Sequence, residues 1–120
     1  MFGRDLGDHL PAPGATVDAE RVPDWDAIEH LDRDSFEPFW RLDAGGLRDA
    51  FKATPRSVLL TVSDPDLFGF SIVGVGAIAG YLQRIAVVPS AQGRGLGRSL
   101  VRSSMQWAHR HGARHILLNT

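Results

Sequence analysis

The sequence predicts an α/β domain, a β-sheet of mixed direction flanked by helices. Three observations carry that prediction. β-Rich runs stand at 57–62, 67–73 and 81–88; apolar residues recur at helical spacing over 25–31, 43–54 and 96–108; and a glycine-rich stretch, Gln92–Gly97, joins the last of these strands to the last of these helices. At 120 residues the chain has room for one domain and not for two, so residues 1–120 are read as a single unit.

Residues 1–22, rich in Pro and Gly, show no sustained period and read as an irregular lead-in, with a short strand near 15–22. A helix starts at Val22-Pro23-Asp24-Trp25, and Trp25, Ile28 and Leu31 repeat on one face. In the second helix, Asp43 is the N-cap, Leu47, Ala50, Phe51 and Thr54 follow the i, i+3, i+4, i+7 pattern, and Pro55 stops it. Phe36, Phe39 and Trp40 lie between the two helices. They suit helix-packing core material, with a pocket wall as the sharper alternative.

The runs 57–62 and 67–73 form an antiparallel hairpin through Ser63-Asp64-Pro65-Asp66, where Pro suits the second position of a type I turn. Gly74, Gly76 and Gly80 mark the next turn. The strand 81–88 is apolar apart from Gln83 and Arg84, as a strand buried on both faces would be. In the following helix Leu96, Leu100, Val101, Ser104, Met105, Trp107 and Ala108 share one half of the circumference, and Gly112 is placed to end it. A last strand runs from His115 to Asn119.

Composition excludes several classes. With no cysteine there is no disulfide framework, thiolate metal site or cysteine nucleophile. Neither an apolar run of membrane-spanning length nor a signal-like N-terminus is present, so a cytoplasmic location is expected, with no membrane partner. Residues 1–66 hold all 14 carboxylates against seven basic side chains, a formal −7, whereas residues 67–120 hold six arginines and no carboxylate. Such a division suits one half facing an anion and the other attracting a cation, although charges that merely solvate two faces would look the same.

Gln92-Gly93-Arg94-Gly95-Leu96-Gly97 reads Q-x-x-G-x-G between a strand and an amphipathic helix. Glycines let the backbone approach a ligand closely, and the N–H groups of the helix's first turn, with the positive end of its dipole, favour an anion such as phosphate. Arg94 and Arg98 add positive charge where it is unfavourable unless an anion arrives. A tight turn without a ligand is the alternative use of the same glycines. Two other phosphate motifs fail on the letters: G-x-G-x-x-G meets Arg98 or Leu100 where a glycine is required, and a Walker A loop finds no Lys after Gly97.

The stretch from Tyr81 to Val101 resembles the acyl-CoA-binding core of the GNAT superfamily of N-acetyltransferases, whose signature is [QR]-x-x-G-x-[GA] directly after the fourth strand. The likeness is strongest over residues 80–120, the expected acyl-CoA-binding core, and looser over 22–73. It implies a GNAT-like mixed sheet flanked by helices, with the family's last helix and strands absent from this chain. It implies acetyl-CoA as co-substrate, no metal, and a primary amine of a small molecule or protein as acceptor. The pantetheine arm would lie along main-chain groups at Ile85, Ala86, Val87 and Val88, adding to the strand edge. The pyrophosphate would lie on Gln92, Gly93, Arg94, Gly95, Leu96 and Gly97, with Arg98 beside them.

An amine attacks the thioester only when neutral, so a lysine-like amine of pKa about 10.4 needs a base or a water chain. A backbone N–H near Val87 would stabilise the developing oxyanion. Relatives that acetylate a ribosomal protein's N-terminus carry a Glu base at the position matching Asn119, and the family's downstream Tyr has no counterpart, Tyr81 being the sole tyrosine. No catalytic residue is therefore assigned. Glu37 and Asp43 are candidates for the acceptor side, and the acidic first half favours a cationic acceptor.

Two other readings stand beside the transferase. An acyl-CoA-binding module without turnover would bind the co-substrate and transfer nothing. A nucleic-acid binder would use the basic second half, but no recognised motif accompanies the charge, and no nucleic-acid partner is expected. His109, His111 and His115 suggest a metal cluster, yet the first two point to nearly opposite sides of a helix, where charge at its C-terminus is the simpler role. The last apolar strand leads to the expectation of self-association through its edge.

Overall fold

The computed structural model describes residues 16–63 and 66–118. Five strands form one sheet in sequence order: β1 (Thr16–Ala19), β2 (Arg56–Ser63), β3 (Leu67–Val75), β4 (Gly80–Val87) and β5 (Ile116–Leu118). The first four are antiparallel and β5 runs parallel to β4, so the sheet is mixed as the sequence predicts. Helix α3 (Leu96–Arg110) covers one face, and α1 (Trp25–Ser35) and α2 (Ala44–Lys52) cover the other.

Helices on both faces explain why the central strands lack simple alternation. On β2, Leu60 and Val62 join the core under α3, whereas Leu59 joins Ile28, Leu31 and Leu47 on the opposite side. On β3, Phe70 and Ile72 face α1 and α2, and Val73 and Val75 face α3. Each fully buried Leu or Ile contributes about 1.5–3 kcal/mol relative to exposure, so both faces are needed to hold the sheet.

Local signals place the helices closely. Asp24 and Asp43 both act as N-caps, accepting from Ala27 N–H at 3.2 Å and Gly46 N–H at 2.8 Å. Gly112, at φ 97°, follows the end of α3. The buried face of α3 is narrower than expected: Leu96, Leu100, Ser104 and Ala108 are buried, while Met105 is 46% exposed. Ser104 is there because its hydroxyl meets that of Ser71 on β3 at 2.8 Å.

Four expectations change. The first strand is shorter than 15–22, spanning Thr16–Ala19 among the described residues. Gly74 and Gly80 lie within strands and not in the turn, which is closed by Gly76 N–H on the Ala79 carbonyl at 2.9 Å. They are glycines because neighbours come close: a Cβ at Gly74 would run into the Thr54 side chain, and one at Gly80 would stand 3.0 Å from Ala108 Cβ. The aromatic junction is not core material. A 3₁₀ turn at Pro38–Trp40 leaves Phe39 84% and Trp40 63% exposed, and only Phe36 packs inward. The strand 81–88 packs against cores on both faces but is not enclosed within the sheet along its length, because its far half has no described neighbour on one edge. Asp64, Pro65 and Asn119 lie outside the described residues.

Candidate functional site

The pairing of β3 with β4 slips by one residue. Val73 stands opposite Leu82 and Ile72 opposite Arg84, so Gln83 is the extra residue of a β-bulge. A bulge reverses the alternation of the strand beyond it. Before it, Gly80 N–H turns toward β5, donating to His115 C=O at 2.8 Å. Beyond it, Val88 N–H donates to Phe68 C=O on β3 at 2.9 Å. In an antiparallel ladder alternate residues bond the neighbour. Arg84 and Ala86 therefore turn their main-chain groups to β3, and Ile85 and Val87 turn theirs to the β5 side. There, among the described residues, β5 pairs with β4 only at Gly80, Tyr81 and Leu82, leaving the far half of β4 as an open edge.

A cleft of about 560 Å³ lies along this edge, lined by Ile85, Ala86, Val87, Gly93, Gly95, Gly97, Arg98 and Val101. The glycine-rich stretch makes its far wall. Gly93 and Gly95 have φ of 85° and 80°, a region that side-chain-bearing residues rarely adopt, and Gly95 forms the N-terminal boundary of α3. The first intrahelical bond runs from Ser99 N–H to Gly95 C=O at 3.1 Å, so the Leu96 and Gly97 amides precede it and have no acceptor within the helix. A Cβ at Gly97 would meet nothing closer than Val87 Cγ2 at 3.9 Å, and one at Gly93 nothing within 4 Å. Nothing in the described chain fills the space that these missing side chains leave. That open space, the helix amides and the positive end of the α3 dipole together fit a diphosphate group.

Of the residues expected in the site, Ile85, Ala86, Val87, Gly93, Gly95, Gly97 and Arg98 line the cleft together. The others do something else with their side chains. Leu96 is a core residue, 1% exposed, and offers the cleft only its amide. Val88 packs between the two cores. Gln92 braces the loop, its Nε2 donating to Val87 C=O at 3.0 Å, and the Arg94 guanidinium lies over the Phe68 ring at 5.1 Å.

Asp43 is occupied as a helix cap and, with Glu29, Arg33, Arg41 and Leu42, lines a separate hollow of about 410 Å³ outside α1. Among the described residues no group of three His, Cys, Asp or Glu side chains could hold a metal; His111 instead stacks on Trp107 at 4.2 Å.

Sequence reasoning missed one buried ionic network. Asp32, 0% exposed, accepts from Arg84 Nε at 2.8 Å and Nη2 at 3.0 Å and from Leu42 N–H at 2.8 Å. Arg84 Nη2 also donates to Trp40 C=O at 2.6 Å, and the guanidinium stacks on Phe36 at 3.8 Å. The signal was present: Asp32 occupies the i+4 position from Ile28 on an apolar helix face, and Gln83-Arg84 interrupts an apolar strand.

A family model described as the acetyltransferase (GNAT) family matches residues 21–120. Among solved structures, the chain is similar to a GCN5-related glucosamine N-acetyltransferase region of a fungal multi-domain β-N-acetylglucosaminidase, with TM-score 0.78 and 23% identity over 88% of this chain and 13% of that one. It is similar to the ribosomal-protein-S18-alanine N-acetyltransferase from Escherichia coli, with TM-score 0.74 and 20% identity over 87% of this chain and 65% of that one. It is also similar to a GNAT family acetyltransferase from Brucella melitensis in complex with acetyl-CoA, with TM-score 0.70 and 24% identity over 87% and 74%. No curated protein matches the chain. The chain thus spans less than two thirds of the first two of these structures.

Proposed function

The chain belongs to the acetyltransferase (GNAT) family, and on that premise we propose that it transfers an acetyl group from acetyl-CoA to a primary amine. The observation that carries the reading is the open half of β4 facing the Gly93–Gly97 loop across one cleft. The Ile85 main-chain groups suit the amide-rich pantetheine arm as a strand suits its neighbour, and the Val87 N–H is left for the reacting carbonyl, the Val87 C=O being held by Gln92 Nε2 at 3.0 Å. The Leu96 and Gly97 amides, with Arg98 beside them, suit the pyrophosphate.

The thioester supplies an activated acetyl group. In this reading the Val87 N–H stands where it can donate to the carbonyl oxygen as negative charge develops on it. The rest of the loop positions the co-substrate, and holding both reactants in one cleft removes much of the entropic barrier to their meeting. The amine nitrogen bonds the carbonyl carbon, the carbon–sulfur bond breaks, the amine proton leaves for solvent or a base, and CoA departs as a thiolate that takes up a proton from solvent.

The acceptor approaches from the other side of the sheet. Helix α3 carries Arg98, Arg102 and Arg110 and no carboxylate, whereas most of the acidic residues lie on and around α1 and α2. A positive amine is therefore favoured on the α1–α2 side and a phosphate-rich ligand on the α3 side. The family fold alone does not choose the amine, since neighbours named for glucosamine and for an alanine of a ribosomal protein share it.

Thermal denaturation with CoA, acetyl-CoA, NAD and ATP at equal concentration tests the site. A ligand at 100 times its Kd stabilises by about 2.7 kcal/mol, equivalent to several degrees in a domain of this size. CoA and acetyl-CoA are expected to raise Tm by that amount and NAD and ATP by far less; equal shifts for all four would refute the site. CoA release with a panel of amines then separates transfer from binding alone, a module without turnover giving the thermal shift and no release.

Leu117 and Leu118 on β5 are 53% and 67% exposed. Self-association through this edge would appear in sedimentation velocity as a coefficient rising with concentration. Leu118→Lys is expected to abolish the rise, and a concentration-independent monomer would refute the association.

A further inference from the structure

We propose that the buried Asp32–Arg84 ion pair is a register pin, which holds the bulge at Gln83 and so selects Ile85 and Val87 as the residues that turn their main-chain groups to the cleft. Its consequence for the ligand rests on the reading of that cleft as the CoA site.

The need for a pin follows from the topology. Beyond Leu82, β4 has no described partner on its β5 side, so its phase there is held by β3 and by side chains alone. Strands carry side chains with period two, and a slip of one residue exchanges the faces completely. The exchange would meet little hydrophobic resistance, because Ile85, Ala86, Val87 and Val88 are all apolar and both sheet faces are covered by apolar cores. The strand's own apolar pattern is therefore a weak determinant of its phase.

Arg84 is the exception. With the bulge, its side chain reaches Asp32 through two hydrogen bonds and takes the Trp40 carbonyl with a third. Without the bulge, Arg84 would share the face of Leu82 and drive a guanidinium into the core around Leu96 and Leu100, and Asp32 would remain buried with no counter-charge. Ile85 and Val87 would then bond β3, and the Arg84 and Ala86 main-chain groups would face the cleft. One ion pair thus distinguishes two otherwise similar packings. Buried ion pairs are often replaceable by apolar residues without loss of stability, and setting register is their best-attested use.

The experiment uses the full chain with both charges removed, Asp32→Leu with Arg84→Met. Interstrand Hα–Hα cross-peaks between Ser71 and Ile85 and between Gly69 and Val87 report the native register, and calorimetry with CoA reports the cleft. The pin predicts a cooperatively folded double variant in which these cross-peaks weaken or are joined by a second set, and whose CoA affinity falls at least about tenfold. Native cross-peaks in the double variant overturn the pin. A changed register with native CoA affinity overturns the link to the cleft. If the unsubstituted chain itself fails to bind CoA, the functional reading falls while the cross-peaks still decide the pin. Should the double variant not fold, Arg84→Met alone decides: without the cation the slipped register no longer buries a guanidinium under α3, so weakened or doubled cross-peaks are expected, and native ones overturn the pin.

Discussion

Gly97→Val abolishes CoA binding, with a loss of at least about a hundredfold, equivalent to about 2.7 kcal/mol, and leaves the chain folded. The effect is large because the substitution fills the space the loop leaves open. A Cβ at Gly97 has only Val87 Cγ2 nearby, at 3.9 Å, so the protein itself accommodates it, but a branched side chain projects where a diphosphate would approach the α3 amides. The backbone at Gly97 has ordinary helical φ, and valine is a better helix former than glycine, so the substitution carries no propensity cost to α3. Gly95→Val is a poorer test. At φ 80° a side chain adds strain of about 1–2 kcal/mol, so lost binding would be mixed with lost structure. Calorimetry with CoA, alongside circular dichroism of the folded variant, measures the difference. A folded Gly97→Val protein with native CoA affinity would show that the loop is only a turn.

The second large effect is on stability. Asp32→Leu alone leaves the Arg84 guanidinium, whose side chain is 16% exposed, facing an apolar partner with only the Trp40 carbonyl and the Phe36 ring to compensate it. Removing one partner of a buried pair costs about 3–5 kcal/mol. Domains of this kind are stable by only about 5–15 kcal/mol, so this variant is expected to lose about a fifth or more of its stability. Adding Arg84→Met removes the stranded charge and is expected to restore most of the loss, because two apolar side chains of similar volume can replace an ion pair. Denaturant titration of the two single variants and the double variant gives the coupling energy directly. A cycle that sums to zero would mean that the two residues do not act as a pair.

Legibility followed the range of the interactions. The loop and α3 could be read from the letters because their determinants are local: Gly93 and Gly95 set the backbone path, Gly97 leaves space beside it, Leu96, Leu100, Ser104 and Ala108 repeat with the helical period, and Gly112 ends it. Asp24 and Asp43 announced their helices for the same reason, since a cap binds an amide three residues on. Where contacts span the chain, the letters misled. Gly74 and Gly80 looked like turn residues but are kept small by Thr54 and Ala108, which approach from other elements. Phe39 and Trp40 looked like core until the 3₁₀ turn placed them at the surface.

The sequence by itself determined an α/β domain, the order of its strands and helices, the resemblance to an acetyltransferase family and the loop suited to a diphosphate. Only the tertiary structure decided which residues of β4 face the cleft. A run such as Ile85-Ala86-Val87-Val88 carries no period to choose a face, and the choice is made by a bulge and by Asp32, 52 residues before Arg84 in the chain. Local propensity and spacing act within a few residues and are written in neighbouring letters. The phase of a half-open strand is set by the cost of burying a charge away from its partner, which exists only once the helix and the sheet have met.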